Sequence, residues 1–384
     1  MIYDFIKKFI KVNRLKPFIY ILFCLLAFPT MGRANSLKNP EMIRVALIKG
    51  AEGVRLEGIG VLAFDEKGKP LKDDSRFYVI RTRDGLSVNG KAVRRLTASG
   101  PVFILVNGKK YHGNLVISPA DKGMLVVNEL PLEDYLVGLI NCEISSQWPM
   151  EAVKAQAVVA RSYAVYQKAM RKNAVYDLES TVIDQVYEGC EIEDSRADRG
   201  VKETTGEVLT YNNNVIQAFY HSNCGGHTEA AENVWGYDLP YLKGVDCSYC
   251  LSTPAARWEQ TIPIIRIETL LHNNGYQVAG LMDIKTVSKN RSGRVTDLAL
   301  ITAKGRMTIS AVNLRKAIGY TVIKSTNFEV RIAGDDAVFT GIGYGHGVGL
   351  CQWGARQRAA DGFDYREILS YYYPGVKLEK FYSE

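Results

Sequence analysis

Three groups of residues in this 384-residue sequence have the types and spacing to do chemistry. The first is one acid, Glu143, at the joint of two helix-like stretches within NELPLEDYLVGLINCEISSQWPMEAVKAQAVVARSYAVYQKAMR. A carboxyl group holds a donatable proton near neutral pH only if burial raises its pKa well above about 4.3. Glu143 ends an apolar stretch and has Cys142, Ile144 and Trp148 around it, which is such a setting. Residue type alone argues as well for a surface or capping group. Glu133 and Glu151 read as charges at helix N-termini.

The second group is Cys224-x2-His227 followed by Cys247-x2-Cys250. Two close pairs about 20 residues apart match a closed tetrahedral zinc site of three thiolates and one imidazole, whose role would be structural. A disulfide from Cys224 to Cys247 or Cys250 meets the same spacing, and free thiols are a third reading. His221 either replaces a ligand or points into a site with Tyr220 and Ser222. Cys142, Cys190 and Cys351 have no paired spacing and are expected simply to be buried. The third group is the glycine-rich run from Gly341 to Gly354, which displays Tyr344, His346 and Val348 between glycines. It lacks the Gly-Lys-Ser/Thr ending of a phosphate loop. Alternating glycine suits backbone that passes close to another element or a ligand.

The elements that must position these groups follow from periodicity. Leu132, Tyr135, Leu136 and Leu139 recur at helical spacing up to Glu143. Ser145, Ser146 and Pro149 interrupt, and because proline is tolerated in a first turn, a second helix is expected from about Pro149. Its alanines at 152, 155, 157, 160 and 164 invite close packing, so this helix is expected to be the most buried. Residues 41–127 carry alternating, β-branched runs, with Asn107-Gly108 as a hairpin signal. TGEVLTYNNNVIQAFYHS reads as another hairpin, and Ser310 as the cap of a short helix. Together these predict an α+β fold.

The N-terminus is basic (Lys7, Lys8, Lys11, Arg14, Lys16), then apolar from Pro17 to Pro29, then small-residued at Gly32-Arg33-Ala34. That is the pattern of a secretory signal over 1–34, with an uncleaved membrane anchor as the alternative. The expected location is the cell envelope, in the periplasm or on the outer face of the membrane. Residues 1–34 hold six positive charges and one negative, so the remainder carries only +2 of the formal +7. No basic patch or RNA-binding signature points to nucleic acid, and membrane contact is expected only through the N-terminal segment.

Taken together, NELPLEDYLVGLI, Glu143, WPMEAVKAQAVVARSYA, DQVYEG, FYHSNCGGHTEAAENVWG, YLKGV and GYGHGVGLCQWGA resemble the SpoIID/LytB family. The resemblance spans about residues 43–376. It implies a β-rich part over 41–127 and a catalytic core over 128–376, with the Cys/His loop at 221–250 and the glycine-rich motif at 341–354. It also implies a peptidoglycan lytic transglycosylase, cutting the bond between N-acetylmuramic acid and N-acetylglucosamine in peptide-stripped glycan and leaving 1,6-anhydro ends. Glu143 stands at the family's catalytic position. One carboxyl group suffices for this reaction, consistent with the absence of an obvious acidic partner. Gln156, Arg161, Tyr163, Gln185, Tyr220, His221, Ser222, Tyr344 and His346 fall at motif positions expected to line the glycan groove or orient Glu143, with Trp235 and Trp353 as stacking faces. Zinc at Cys224, His227, Cys247 and Cys250 rests on spacing. The chief alternative is a non-catalytic glycan-binding enhancer that works with a cell-wall amidase; a zinc amidase is a third. A role in sporulation does not follow. The chain departs from the family pattern at Cys351, where Ser is usual, and at Cys142, where a smaller residue is usual.

Overall fold

In a computed structural model the described residues are 40–71, 76–182 and 184–382. The N-terminal signal or anchor expected over 1–34 lies outside them. No helix among the described residues is long and apolar enough to cross a membrane.

Among the described residues before Leu132 every element is a strand. One six-stranded sheet runs in the order 178–179, 42–51, 124–131, 114–119, 96–99, 62–64. The second runs 91–93, 85–88, 76–82, 53–57, 104–106, 109–111. Alternation decides what each strand buries: Val54 and Leu56, and Phe77 and Val79, enter the core while their neighbours stay exposed. Asn107 and Gly108 both take positive φ (50° and 93°), the geometry a two-residue hairpin turn needs. Asn212 and Asn213 (φ 49° and 62°) close the hairpin between Glu207–Tyr211 and Asn214–Val215 in the same way.

α1 (Leu132–Glu143) follows directly on the strand Met124–Pro131 and packs Leu132, Tyr135, Leu136, Leu139 and Ile140 into that core. It stops because Ile144 turns extended. α2 (Met150–Met170) begins after Pro149 and buries 14 of its 21 residues. Ala157, Ala160 and Ala164 face the first core; Ala155, Val158 and Val159 face a second, built with the Cys loop and the C-terminal helices. α3 (Ser195–Lys202), capped by Asp194, packs on both α1 and α2. α4 (Ala231–Trp235) lies within the Cys/His loop. A third apolar cluster lies within residues 258–339, around α5 (Ile264–Asn273), α6 (Ala311–Ile318) and two three-stranded sheets. Ser310 caps α6 through Asn313 N–H. α7 (Gln352–Ala360) and α8 (Tyr365–Tyr372) return to α2. The mixed, segregated elements make the fold α+β.

One tie between α1 and α2 corrects an expectation. Arg161 is fully buried and grips Glu133 through two bonds, Nε to Oε1 at 2.9 Å and Nη2 to Oε2 at 2.7 Å. It also donates to the carbonyls of Glu207 and Val201. Every direction its guanidinium can donate is engaged inside the core, so it is not free to bind sugar or to hydrogen-bond Glu143. Removing one member of such a pair leaves the other charge uncompensated. Arg161→Met should lower the unfolding free energy by about 3 kcal/mol in urea titration, and Arg161→Met with Glu133→Gln should recover part of it. An unchanged midpoint in the single variant would contradict this role.

Candidate active site

Glu143 is aimed by the break that follows it. Ser146 N–H donates to Asn141 Oδ1 (2.9 Å) and Ser146 Oγ to Asp194 Oδ2 (2.5 Å). Arg196 donates to the carbonyls of Ser146 and Trp148. The turn is thereby anchored to α3, and the last side chain of α1 projects into a cleft of about 450 Å³, a size suited to a small ligand or a sugar unit. Cys142, Tyr163, Asp184, Phe219, Tyr220, His221, Ser222, Trp235, Tyr344, His346 and Gln352 share its walls.

Burial raises the Glu143 pKa to about 7, against the opposing pull of the Tyr220 hydroxyl, the Gln352 amide and the Val186 N–H. Behind those donors stands a buried relay. Tyr135 O–H donates to Gln185 Oε1 (3.1 Å) and Gln185 Nε2 donates to the Tyr220 oxygen (3.1 Å). The phenolic oxygen of Tyr220 already accepts, so its own proton is free to point at Glu143. Gln352 Nε2 likewise lies 3.4 Å from Gln156 Oε1. Gln185 and Gln156, expected to line the groove, are thus buried behind it and act on the residues that do. Burial holds the Cys142 thiol at about 11, so this neighbour adds an uncharged wall.

The two histidines differ in what they offer. His346 accepts Val348 N–H at Nδ1 (3.1 Å) and its other nitrogen faces the Tyr220 carbonyl, so both are tied to backbone. Burial pushes its pKa down to about 3. His221 is also neutral, with burial holding it well below the ordinary value. Its Nδ1 pairs with the Val348 carbonyl (3.1 Å) and must carry the hydrogen. Nε2 is then an acceptor, buried and without a partner among the described residues. It can accept from a hydroxyl or amide of a ligand that reaches it. Trp235, 37% exposed, stacks on Phe219 at 4.2 Å and offers a flat face. Trp353 instead pairs with Trp148 at 5.0 Å beneath Arg356, away from the cleft lining.

Glycine decides how closely the walls approach. The Tyr220–His221 strand pairs in parallel with Leu350–Cys351. A Cβ on Gly349 (φ 74°) would sit 1.9 Å from the Phe219 carbonyl oxygen, and one on Gly345 (φ 113°) would meet His221 Cβ at 2.7 Å. The alternating glycines therefore bring one backbone against another, with His346 and Tyr344 displayed between them.

A second carboxylate, Asp184, also lines the cleft. Arg171 holds both its oxygens (2.6 and 3.1 Å), and Tyr163 O–H and Glu179 N–H donate to it as well. Its side chain is 2% exposed, so it stands as a locked structural anion. Asp184, Phe219 and Gln352 were missed as site residues although each lies within a quoted motif; the motifs carry no sign of which side faces the cleft.

The cysteine site differs from the spacing-based expectation. The four sulfurs that converge belong to Cys224, Cys247, Cys250 and Cys351. His227 points away, with Nδ1 on the Thr228 carbonyl at 2.5 Å and Nε2 3.7 Å from Asp246. Cys351, 101 residues beyond Cys250, was invisible to local spacing. All four stand as free thiols, with no disulfide among them.

Comparison with known proteins places relatives around this arrangement. A family model described as Stage II sporulation protein matches residues 120–211, which include Glu143, and a domain of unknown function matches residues 251–349. An uncharacterized protein of Brachyspira hyodysenteriae is 36% identical over 360 residues, covering 91% of this chain and 95% of the relative. Stage II sporulation protein D of Bacillus subtilis is 29% identical over 271 residues, covering 66% of this chain and 76% of the relative. An amidase enhancer of Bacillus subtilis is 31% identical over 295 residues, covering 64% of this chain and 40% of the relative.

The raised Glu143 pKa has a consequence for stability. Between the unfolded value of 4.5 and the folded value of about 7, the folded chain binds the extra proton, so stability falls as pH rises through that window. Glu143→Gln should therefore be more stable than the parent at pH 8 by about 2 kcal/mol, discounted for partial solvent access, and equal to it at pH 4. Denaturant melts at both pH values check this; a variant less stable at pH 8 would contradict the burial of a strained acid.

Proposed function

This chain belongs to the SpoIID/LytB family, and we propose that it is an exported lytic transglycosylase acting on the glycan strands of peptidoglycan in the cell envelope. The observation that carries this reading is a lone carboxyl group with a pKa of about 7 in a sugar-sized cleft, beside a second carboxylate that is fully engaged elsewhere.

Hydrolytic glycosidases divide the work between two carboxyl groups. Asp184 cannot serve as the second, because Arg171, Tyr163 and Glu179 N–H already occupy it. An intramolecular reaction needs only one. Protonated Glu143 gives its proton to the glycosidic oxygen as the bond from C1 of the muramoyl unit breaks. The resulting carboxylate, held by Tyr220 and Gln352, then takes the proton of the same sugar's C6 hydroxyl. The C6 oxygen closes on C1, giving the 1,6-anhydro ring and returning Glu143 to its starting state. No water is consumed. In this reading Trp235 and Phe219 supply the stacking face, and His221 Nε2 accepts from a sugar hydroxyl or acetamido N–H. Tyr163, Ser222 and Tyr344 contribute the remaining cleft surface.

A second reading is favoured by the amidase enhancer among the relatives: the same cleft binds glycan without cutting it and assists a cell-wall amidase. Membrane contact in either case is confined to the N-terminal segment. Peptide-stripped glycan strands separate the two readings. The parent chain should release anhydro-ended fragments, and Glu143→Gln should be slower by about 10²- to 10⁴-fold while still binding the strands. Because Glu143 must begin protonated, kcat/KM should fall as pH rises through about 7, and Tyr220→Phe, which removes a donor to the carboxylate, should move that limb to higher pH. Strand binding without anhydro product from the parent chain would leave the enhancer reading in its place.

A further inference from the structure

We infer that Cys224, Cys247, Cys250 and Cys351 together bind one zinc ion as four thiolates, directly behind the wall of the cleft. All four residues are buried, and their Sγ atoms lie within 4.8 Å of one another. Cys224 and Cys250 approach to 3.4 Å. With Zn–S bonds of about 2.3 Å, a tetrahedron has sulfur–sulfur edges of about 3.8 Å, so each pair stands within about 1 Å of what the ion requires. The set is closed: four protein ligands leave no position for water, which makes the role structural. Sulfur-only tetrahedral ligation selects zinc or iron over magnesium and calcium.

The surroundings are built for anionic sulfur. The N–H groups of Cys224 and Gly354 both donate to Cys351 Sγ at 3.3 Å. Gly226 N–H donates to Cys250, and the Tyr372 hydroxyl lies 3.1 Å from Cys247 Sγ. Donors aimed at ligand sulfur form the outer shell of a metal–thiolate site. A zinc ion with four thiolates keeps two negative charges, and the interior supplies a cation beside it. Arg294, 2% exposed, donates to the carbonyls of Cys224 (2.7 Å) and His227 (2.9 Å). Glu229, with Ser292 and Asn290 on its carboxylate, packs the turn that carries Arg294 against this loop.

The position gives the ion a mechanical task. Cys224 follows the Tyr220–His221 strand, Cys247 and Cys250 flank a 3-10 turn, and Cys351 caps α7 immediately before Gln352. His221 and Cys351 are register partners. One ion would fasten three segments far apart in the chain, and two of them carry the donors to Glu143. In an oxidising compartment, metal ligation also keeps four adjacent thiols from pairing as disulfides.

Elemental analysis of the purified full chain should find one zinc per chain. Replacement with cobalt(II) should give the thiolate charge-transfer and intense visible bands of tetrahedral sulfur ligation. Cys247→Ser and Cys351→Ser should each lower bound zinc at least tenfold, whereas His227→Ala, Cys142→Ser and Cys190→Ser should keep it. If the Cys→Ser variants do not fold, the parent chain decides: chelation under reducing conditions should lower Tm, and zinc but not magnesium should restore it. Two disulfides by thiol titration, iron in place of zinc, no metal at all, or loss of zinc in His227→Ala with retention in Cys351→Ser would each overturn the assignment. Metal content is read without any glycan assay. A chain that holds zinc and makes no anhydro product would therefore sink the transglycosylase reading alone.

Discussion

A carboxylic acid that keeps its proton to about pH 7 is the constraint on which the rest of the structure depends. Desolvation raises the pKa, yet a buried acid without partners would simply stay protonated and could not return as a base. The site resolves this with three donors, Tyr220, Gln352 and Val186 N–H, which favour the ionised form without matching the burial penalty. Those donors come from three different parts of the chain. Holding them around one carboxyl is the task the surrounding fold performs.

Two interactions do most of that holding. Arg161 and Glu133 bind α2 to the first turn of α1, which fixes the helix whose last residue is Glu143. The glycine-rich run lies against the Phe219–Glu229 segment through paired backbone bonds, Asn223 with Tyr344 and Glu229 N–H with the Gly347 carbonyl. That contact sets Gln352 and Tyr220 on the same side of the cleft. Arg161, a charge expected beside the reaction, and Asp184, a carboxylate of the cleft wall, instead stabilise the frame.

Much was legible before the fold was known. The two helices, the proline that separates them, the Asn-Gly and Asn-Asn hairpins and the Ser310 cap all depend on contacts within a few residues, and all lie where local periodicity puts them. Eight of the nine residues expected around Glu143 either line the cleft (Tyr163, Tyr220, His221, Ser222, Tyr344, His346) or touch one that does at hydrogen-bond distance (Gln185 on Tyr220, Gln156 on Gln352). Gln156 stands behind Gln352 at 3.4 Å, and Arg161 serves the core. Composition could not have separated these roles, because Gln and Arg in a small-residue helix face either way with equal ease.

The sequence by itself determined the elements and the family resemblance, since each is a local pattern of side-chain type and spacing, and that resemblance singled out Glu143 as the candidate acid. Only the tertiary structure decided which cysteines meet, because Cys351 reaches Cys224 through the pairing of two short parallel strands whose partners Tyr220 and Leu350 lie 130 positions apart. It decided as well that Asp184 is an anchored ion, that His221 has a bare nitrogen, and that Glu143 is dry enough to hold its proton. Spacing along a chain fixes what neighbours in sequence can do. Desolvation and convergence are properties of what the folded chain brings around them.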